Sequence, residues 1–156
     1  VKILYICTHN RCRSILSEAI TNHLSKGKIL AKSAGSQPAG QVHPLSLMHL
    51  QQVGISTDYL ACQSWHELEN FAPDVVITVC DSAAKEPCPL WFGDAMRVHW
   101  SLADPSKCAG THDEISQAFN STIKEISSRV QQLLSLQDKW FDPQALQAAL
   151  VKFGAS

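Results

Sequence analysis

No run of apolar residues in this chain approaches the roughly 20 that a membrane-spanning helix requires, so no membrane segment is expected. Charge excess is missing too: 13 Lys+Arg against 14 Asp+Glu leave a net charge of −1, which is no footprint for nucleic acid. Residues 1–6 are too short for a signal-peptide core, and no cleavage site follows them. Internal repeats, linkers and low-complexity tracts are absent. The 156 residues therefore read as one domain, 1–156, long enough to bury a core without staples. Without a secretory signal, the six cysteines (7, 12, 62, 80, 88 and 108) read as reactive or buried thiols rather than a disulfide framework. Cys80 and Cys88 are spaced as a metal pair could be, but no close Cys-x-x-Cys or histidine cluster supplies two further ligands. The expectation is a cytoplasmic, monomeric enzyme with no cofactor and no metal.

What is present is concentrated in VKILYICTHNRCRSILSE, residues 1–18. A strand-like run ends at Ile6 and delivers Cys7. The polar loop Thr8-His9-Asn10-Arg11-Cys12 follows, and Arg13-Ser14 opens an apolar-periodic segment that reads as a helix. A thiol at a strand's end, a loop of N–H groups and a helix N-terminus together make an anion site. The same dipoles and a nearby cation favour thiolate over thiol. Arg13 offers a planar fork for two oxygens of a tetrahedral oxyanion. The bare Cys-x5-Arg spacing is weak on its own; the strand before it, the helix after it and Ser14 sharpen it. An ordinary βα turn with a core cysteine remains the alternative.

Further along, helix one is expected over about 14–24, with Ile15, Leu16, Ala19, Ile20 and Leu24 inward. KILAKS (28–33) is the second strand, closed by Ala34-Gly35-Ser36. His43-Pro44 starts a helix with Leu47, Leu50 and Val53 on one side and a Gly54-Ile55 cap. Trp65 and Leu68 indicate a short helix. DVVITVC (74–80) is a buried strand, and 81–94 reads as a loop. A fourth strand, 96–100, leads into Ser101-Leu102-Ala103-Asp104-Pro105. Thr111 to Glu114 form a capping box for a long helix carrying Ile115, Phe119, Ile123, Ile126, Val130 and Leu133. Residues 138–156 form a C-terminal helical extension whose stripe is Leu146, Leu150 and Phe153. Strands separated mostly by helices argue an α/β, doubly wound parallel sheet with right-handed crossovers. Ligands of such folds bind beyond the carboxyl ends of the strands, and Cys7, Cys80 and the Asp104 loop all fall at that edge.

A thiolate beneath an oxyanion needs an acid for the departing oxygen, and Asp104 is the candidate, with a plain turn aspartate as the alternative. Cys80 and Cys88 could serve a relay in which one thiolate attacks a sulfur bonded to substrate or to another cysteine. Cys80 could equally fill the core, with Cys88 incidental. His9, His43, His99 and His112 have no evident partners and read as loop or surface residues.

CTHNRCRS (7–14), Cys80 with Cys88 beyond it, and WSLADPS (100–106) resemble the arsenate reductases built on the low-molecular-weight tyrosine phosphatase fold. The resemblance runs from Val1 to about Leu134 and includes SAGS (33–36) and His43-Pro44. It implies a three-layer, flavodoxin-like domain with a four-stranded parallel sheet. By that resemblance Cys7 is the nucleophile toward arsenate, for which phosphate or sulfate are mimics. Thr8, His9, Asn10, Arg11, Cys12 and Arg13 cradle the oxyanion. Ser14 donates to the Cys7 thiolate, and Asn10 braces the loop through Ser33. Asp104 protonates the leaving hydroxyl. Cys80 then attacks Cys7, releasing arsenite, and Cys88 attacks Cys80 to move the disulfide outward. Thioredoxin, or glutathione with glutaredoxin, returns the electrons. Cys108 rivals Cys88 as the last cysteine. Some relatives hold potassium in a way that would point to Asn10 and Glu18.

The phosphatase branch shares the loop but usually has proline where Ile15 stands and tyrosine where Ser106 stands. This chain also lacks an evident aromatic wall for a phosphotyrosine ring, which favours the reductase. A phosphatase using Cys7, Arg13 and Asp104 alone, and a non-catalytic oxyanion-binding or redox-sensing module, are the alternatives.

Overall fold

The computed structural model of the chain describes residues 1–85 and 93–155. Four short strands carry the sheet: β1 (Lys2–Ile6), β2 (Leu30–Ala34), β3 (Val75–Thr78) and β4 (Met96–His99). All neighbours pair in parallel, in the order β2-β1-β3-β4. The central strand β1 is buried from Ile3 to Ile6, which is why its sequence is continuously apolar rather than alternating. One side of the sheet meets α1 (Arg13–Ser25). There the Tyr5 hydroxyl pairs with Thr21 Oγ1 at 2.8 Å, and Ser33 Oγ donates to Glu18 Oε1 at 2.5 Å. On the other side the ammonium groups of Lys2 and Lys32 lie 5.9 and 5.4 Å from the Phe71 ring centroid. The sheet thus lies between two covering layers.

Helix α2 (Pro44–Gln52) begins with proline at a position whose N–H is not needed, and the His43 ring nitrogen accepts from Leu45 N–H. It ends in a Schellman turn: Gly54 N bonds Gln51 O and Ile55 N bonds Leu50 O, both at 3.0 Å, with Gly54 left-handed. The expected stripe is corrected, however. Ser46, His49 and Leu50 are buried while Val53 is exposed, because this face meets α4 (His112–Leu134) through His49, whose ring stacks on Phe119 at 4.7 Å. The expected short helix is the 3-10 turn Trp65–Leu68, with Ser64 and Glu67 forming a full capping box.

The stretch after Cys80 is not loop from its start; Asp81–Ala84 form a one-turn helix, α3. In α4, Thr111 Oγ1 caps Glu114 N–H at 3.2 Å, and Phe119, Ile123, Ile126, Val130 and Leu133 are buried as expected. The last helix, α5 (Pro143–Ala155), lays Leu146, Leu150 and Phe153 into the same core, and the Leu150 carbonyl accepts the Trp100 indole N–H at 2.9 Å. No helix among the described residues is long and apolar enough to cross a membrane.

The ends of β1 and β2 approach so closely that position 35 must be glycine. A Cβ there would lie 2.5 Å from the Thr8 carbonyl oxygen and 2.7 Å from that of Cys7. Both oxygens belong to backbone and cannot swing aside. Gly35→Ala is expected to lower stability by about 1–3 kcal/mol, the usual range for overpacking, measured by urea denaturation; an unchanged midpoint would refute the close approach.

Candidate active site

The parallel register sets the site. Ile6 pairs with Thr78, and Val79 N–H continues the ladder to the Ile6 carbonyl at 2.9 Å. The chains leaving β1 and β3 therefore carry Cys7 and Cys80 side by side at the carboxyl edge, as the strand pattern predicts.

After Cys7 the chain wraps into a loop whose carbonyls are tied outward. Thr8 O accepts from Gln37 N at 2.9 Å, His9 O from Ala39 N at 3.0 Å, and Arg11 O from His43 N at 2.9 Å. A trans peptide points its N–H opposite its carbonyl, so the N–H groups of His9, Asn10 and Cys12 face the concave side. The His9 N–H reaches the Cys7 sulfur. The turn is made at Asn10, left-handed at φ 47°, a conformation asparagine tolerates. Asn10 is fully buried. Its amide donates to Ser14 Oγ and its carbonyl accepts from Gln63 N–H, both at 2.8 Å. The expected brace from Asn10 to Ser33 is corrected: Gln63 is the intermediary, its side chain donating to the Ser33 carbonyl at 2.9 Å. Ser33 itself holds Glu18 on the far side of β2.

Helix α1 starts at Arg13 with no side-chain cap and no acidic residue in its first turn, so its leading N–H groups and positive pole face the loop. Arg13 Nη1 donates to the Leu102 carbonyl at 3.2 Å, and Nη2 lies 3.5 Å from Asp104 Oδ2. Its Nε–H is buried and has no partner among the described residues. Asp104 Oδ1 accepts from both N–H (3.0 Å) and Oγ (2.6 Å) of Ser106, which opens the 3-10 turn Pro105–Lys107. Asp104, far along the chain, thus meets the loop that carries Cys7 and Arg13.

The electrostatics correct one expectation. The loop was expected to lower the pKa of Cys7; instead Cys7 is raised and Cys80 is lowered from its ordinary 9.0 to about 5. The chief cause is the Cys7 thiol donating to the Cys80 sulfur, which burial opposes and which N–H groups of Ala83 and Thr8 reinforce. Thr8 N–H stands 3.4 Å from Cys80 Sγ and Thr8 Oγ1 3.6 Å. One proton is shared between two sulfurs, so the pair carries a single charge. Cys12, buried in the loop, is pushed up to about 11, mainly by burial.

Other residues found partners that local sequence did not reveal. His9 Nδ1 lies 3.0 Å from the Gln37 carbonyl, and Cys62 Sγ donates to the His9 carbonyl at 3.3 Å. The His99 ring bridges Thr78 Oγ1 (2.8 Å) and Asp81 Oδ1 (3.0 Å), correcting its reading as a partnerless residue. Cys108 is half-buried beside the Ala109 and Glu114 carbonyls. Cys88 lies outside the described residues. Of the two residues named for potassium, Asn10 Oδ1 accepts from Gln63 N–H and Glu18 Oε1 from Ser33 Oγ, and burial lifts the Glu18 carboxyl to about 7.

The sequence pattern of the low molecular weight phosphotyrosine protein phosphatases matches residues 2–149. The chain belongs to that family. Within it, the chain is 34% identical over 131 residues to an arsenate reductase of Shouchella clausii, covering 83% of this chain and 92% of the relative. It is 31% identical over 137 residues to a glutaredoxin arsenate reductase of Synechocystis, covering 86% and 96%. A solved structure of an arsenate reductase in the phosphate binding state superposes with a TM-score of 0.71 at 25% identity, over 86% of this chain and 96% of that one. The phosphatase-family fold, with its four-stranded parallel sheet and flanking helices, is therefore the one the motifs predicted.

Two titrations follow from the burial. Thiolate ultraviolet absorbance is expected to persist as pH falls and to be lost through about pH 5; in Cys7→Ala, which removes the chief donor to Cys80, the step moves upward. A step that stays in place would assign the charge elsewhere. For Glu18, raised from 4.5 to about 7 by burial, the unfolded chain ionises first as pH rises. Wild type therefore loses stability between about pH 4.5 and 7 relative to Glu18→Gln, with a constant gap above that window, as thermal melts across pH will show.

Proposed function

We propose that this protein reduces arsenate to arsenite with Cys7 as nucleophile and a Cys7–Cys80–Cys88 disulfide relay. The observation that carries the reading is the hydrogen bond between Cys7 and Cys80 beside Arg13 and Asp104. A phosphatase needs one sulfur in this loop. A second sulfur hydrogen-bonded to the first is what a disulfide-forming reaction requires.

Arsenate binds with its oxygens on the inward N–H groups and on the Arg13 guanidinium, whose Nε–H gains an acceptor. The shared proton moves from Cys7 to Cys80, and the Cys7 thiolate attacks arsenic. Asp104 gives a proton to the departing hydroxyl, which leaves as water. Cys80 then gives its proton to water, its thiolate held by the N–H groups of Thr8 and Ala83. It attacks the Cys7 sulfur: the S–S bond forms, the S–As bond breaks, and the bonding pair stays on arsenic. Arsenic(V) becomes arsenic(III), and two thiols become a disulfide. Cys88 attacks Cys80, freeing Cys7, and thioredoxin, or glutaredoxin with glutathione, reduces the Cys80–Cys88 disulfide.

The test is NADPH oxidation on adding arsenate, once with thioredoxin and thioredoxin reductase and once with glutathione, glutaredoxin and glutathione reductase. Oxidation in either mixture supports the reading and names the donor. Silence in both, with hydrolysis of an aryl phosphate by the same protein, replaces it with a phosphatase; silence in all three leaves an oxyanion-binding or redox-sensing module. Cys7→Ser should abolish every activity. Cys80→Ala and Cys88→Ser should stop arsenate cycling while slow aryl phosphate hydrolysis persists. Cycling that survives Cys88→Ser but not Cys108→Ser would assign the last step to Cys108.

A further inference from the structure

The Cys80-bearing segment is gripped from both sides by one imidazole. Thr78 stands two residues before Cys80 and Asp81 one residue after it. His99, at the end of β4, reaches both: Nδ1 to Thr78 Oγ1 at 2.8 Å and Nε2 to Asp81 Oδ1 at 3.0 Å. With Nε2–H donating to the carboxylate, Nδ1 accepts from the Thr78 hydroxyl, so one neutral ring satisfies both contacts. Ser101 Oγ adds a longer contact of 3.5 Å to the same carboxylate oxygen. The Asp81 side chain is 76% exposed and that of His99 35%, so neither contact is needed to fill the core. Yet the residue between them, Cys80, is buried against Thr8 N–H.

We propose that His99, with Asp81 and Thr78, is a positioning device that holds Cys80 in line with the Cys7 sulfur, and so sets the rate of the first disulfide step. This rests on the relay proposed above. Cys80 hangs from the two residues between β3 and the one-turn helix α3. Val79 and Cys80 are buried, but a segment this short takes its direction from what holds its two ends. His99 ties its two ends to β4 and so pins the backbone around Cys80. The clamp touches neither Arg13 nor Asp104, and Arg13 and the His9 N–H favour the Cys7 thiolate whether or not Cys80 is in place, so adduct formation does not require it. Its polar contacts can also open when Cys80 has to turn from Cys7 to the outer cysteine.

The experiment uses the Cys88→Ser protein, so that oxidation stops at Cys7–Cys80, and follows three rates. The first is disulfide formation after mixing with arsenate. The second is formation of the same disulfide with diamide, a two-electron oxidant that takes both thiol hydrogens, with the bond assigned by peptide mass mapping. The third is hydrolysis of an aryl phosphate, which needs Cys7, Arg13 and Asp104. Adding His99→Ala is expected to slow the first two by about tenfold or more, as misplaced reacting atoms do, with hydrolysis close to unchanged. Asp81→Ala should do the same, and the His99→Ala/Asp81→Ala pair should be no slower than either alone, because both break one device. His99→Gln, which keeps a donor and an acceptor, should recover part of the rate. Equal losses in all three rates, additive losses in the pair, or unaltered disulfide formation would each overturn the proposal. If the parent protein forms no disulfide with arsenate while the diamide rate still falls in His99→Ala, the clamp stands and arsenate as substrate does not.

Discussion

Two sulfurs in hydrogen-bond contact at the edge of a parallel sheet are the constraint on which this structure turns. Cys7 and Cys80 are more than seventy residues apart, and only the pairing of β1 with β3 brings them together. Parallel strands end on the same side, so whatever follows each strand shares one edge. The register then decides reach. Ile6 opposite Thr78 leaves one step to Cys7 and two to Cys80, the second extended along the ladder by Val79. A slip of one residue would turn one sulfur to the opposite face.

Holding a charge on such a pair has to be offset, since a buried thiolate without donors is costly. The offset is distributed. Cys80 receives Cys7, Thr8 and Ala83, while the loop N–H groups, the α1 terminus and Arg13 are arranged around Cys7 instead. The resting protein thus keeps its strongest positive features directed at the place where an oxyanion would sit. Sharing one proton lets the charge pass from Cys80 to Cys7 for the first attack, and the proton then leaves Cys80 before its own attack. The electrostatics therefore serve both sulfurs in turn rather than Cys7 alone.

Much of this was legible in the sequence because the signals are local. An apolar run ending in cysteine, a polar loop and a periodic helix can be read within eighteen residues. The Schellman turn at Gly54-Ile55 and the Thr111 cap are short-range chemistry as well. What local patterns lacked depends on partners far along the chain. Asn10 finds Gln63, 53 residues away, where the resemblance implied Ser33. Val53 fits an apolar stripe, yet α2 turns His49 inward because Phe119 of α4 offers it a ring to stack on. The pKa inversion between the two cysteines had no local signal, since helix and loop dipoles near Cys7 favour its thiolate until the neighbouring sulfur is counted. His99 looked idle because both its partners lie about twenty residues back, Thr78 on β3 and Asp81 in α3.

The two sides of the site are held with unequal firmness, and the inequality matches the chemistry. The strand leading to Asp104 is anchored in the core: Trp100 is fully buried, its indole N–H is bonded to Leu150 of α5, and its ring lies 5.7 Å from the Arg129 guanidinium. Arg129 also reaches the Ser101 carbonyl at 3.4 Å, and Arg13 reaches that of Leu102. A proton donor has to stay in one place, and buried aromatic and guanidinium contacts give it a stiff support. On the Cys80 side Val79, Cys80 and Ala83 are also buried, and the contacts of Thr78, Asp81 and His99 around them are polar and partly exposed. Such contacts contribute little stability each, and they can open when a sulfur that has met Cys7 must leave it. The C-terminal helix thereby acquires a purpose beyond covering β4: through Trp100 it steadies the loop that carries Asp104.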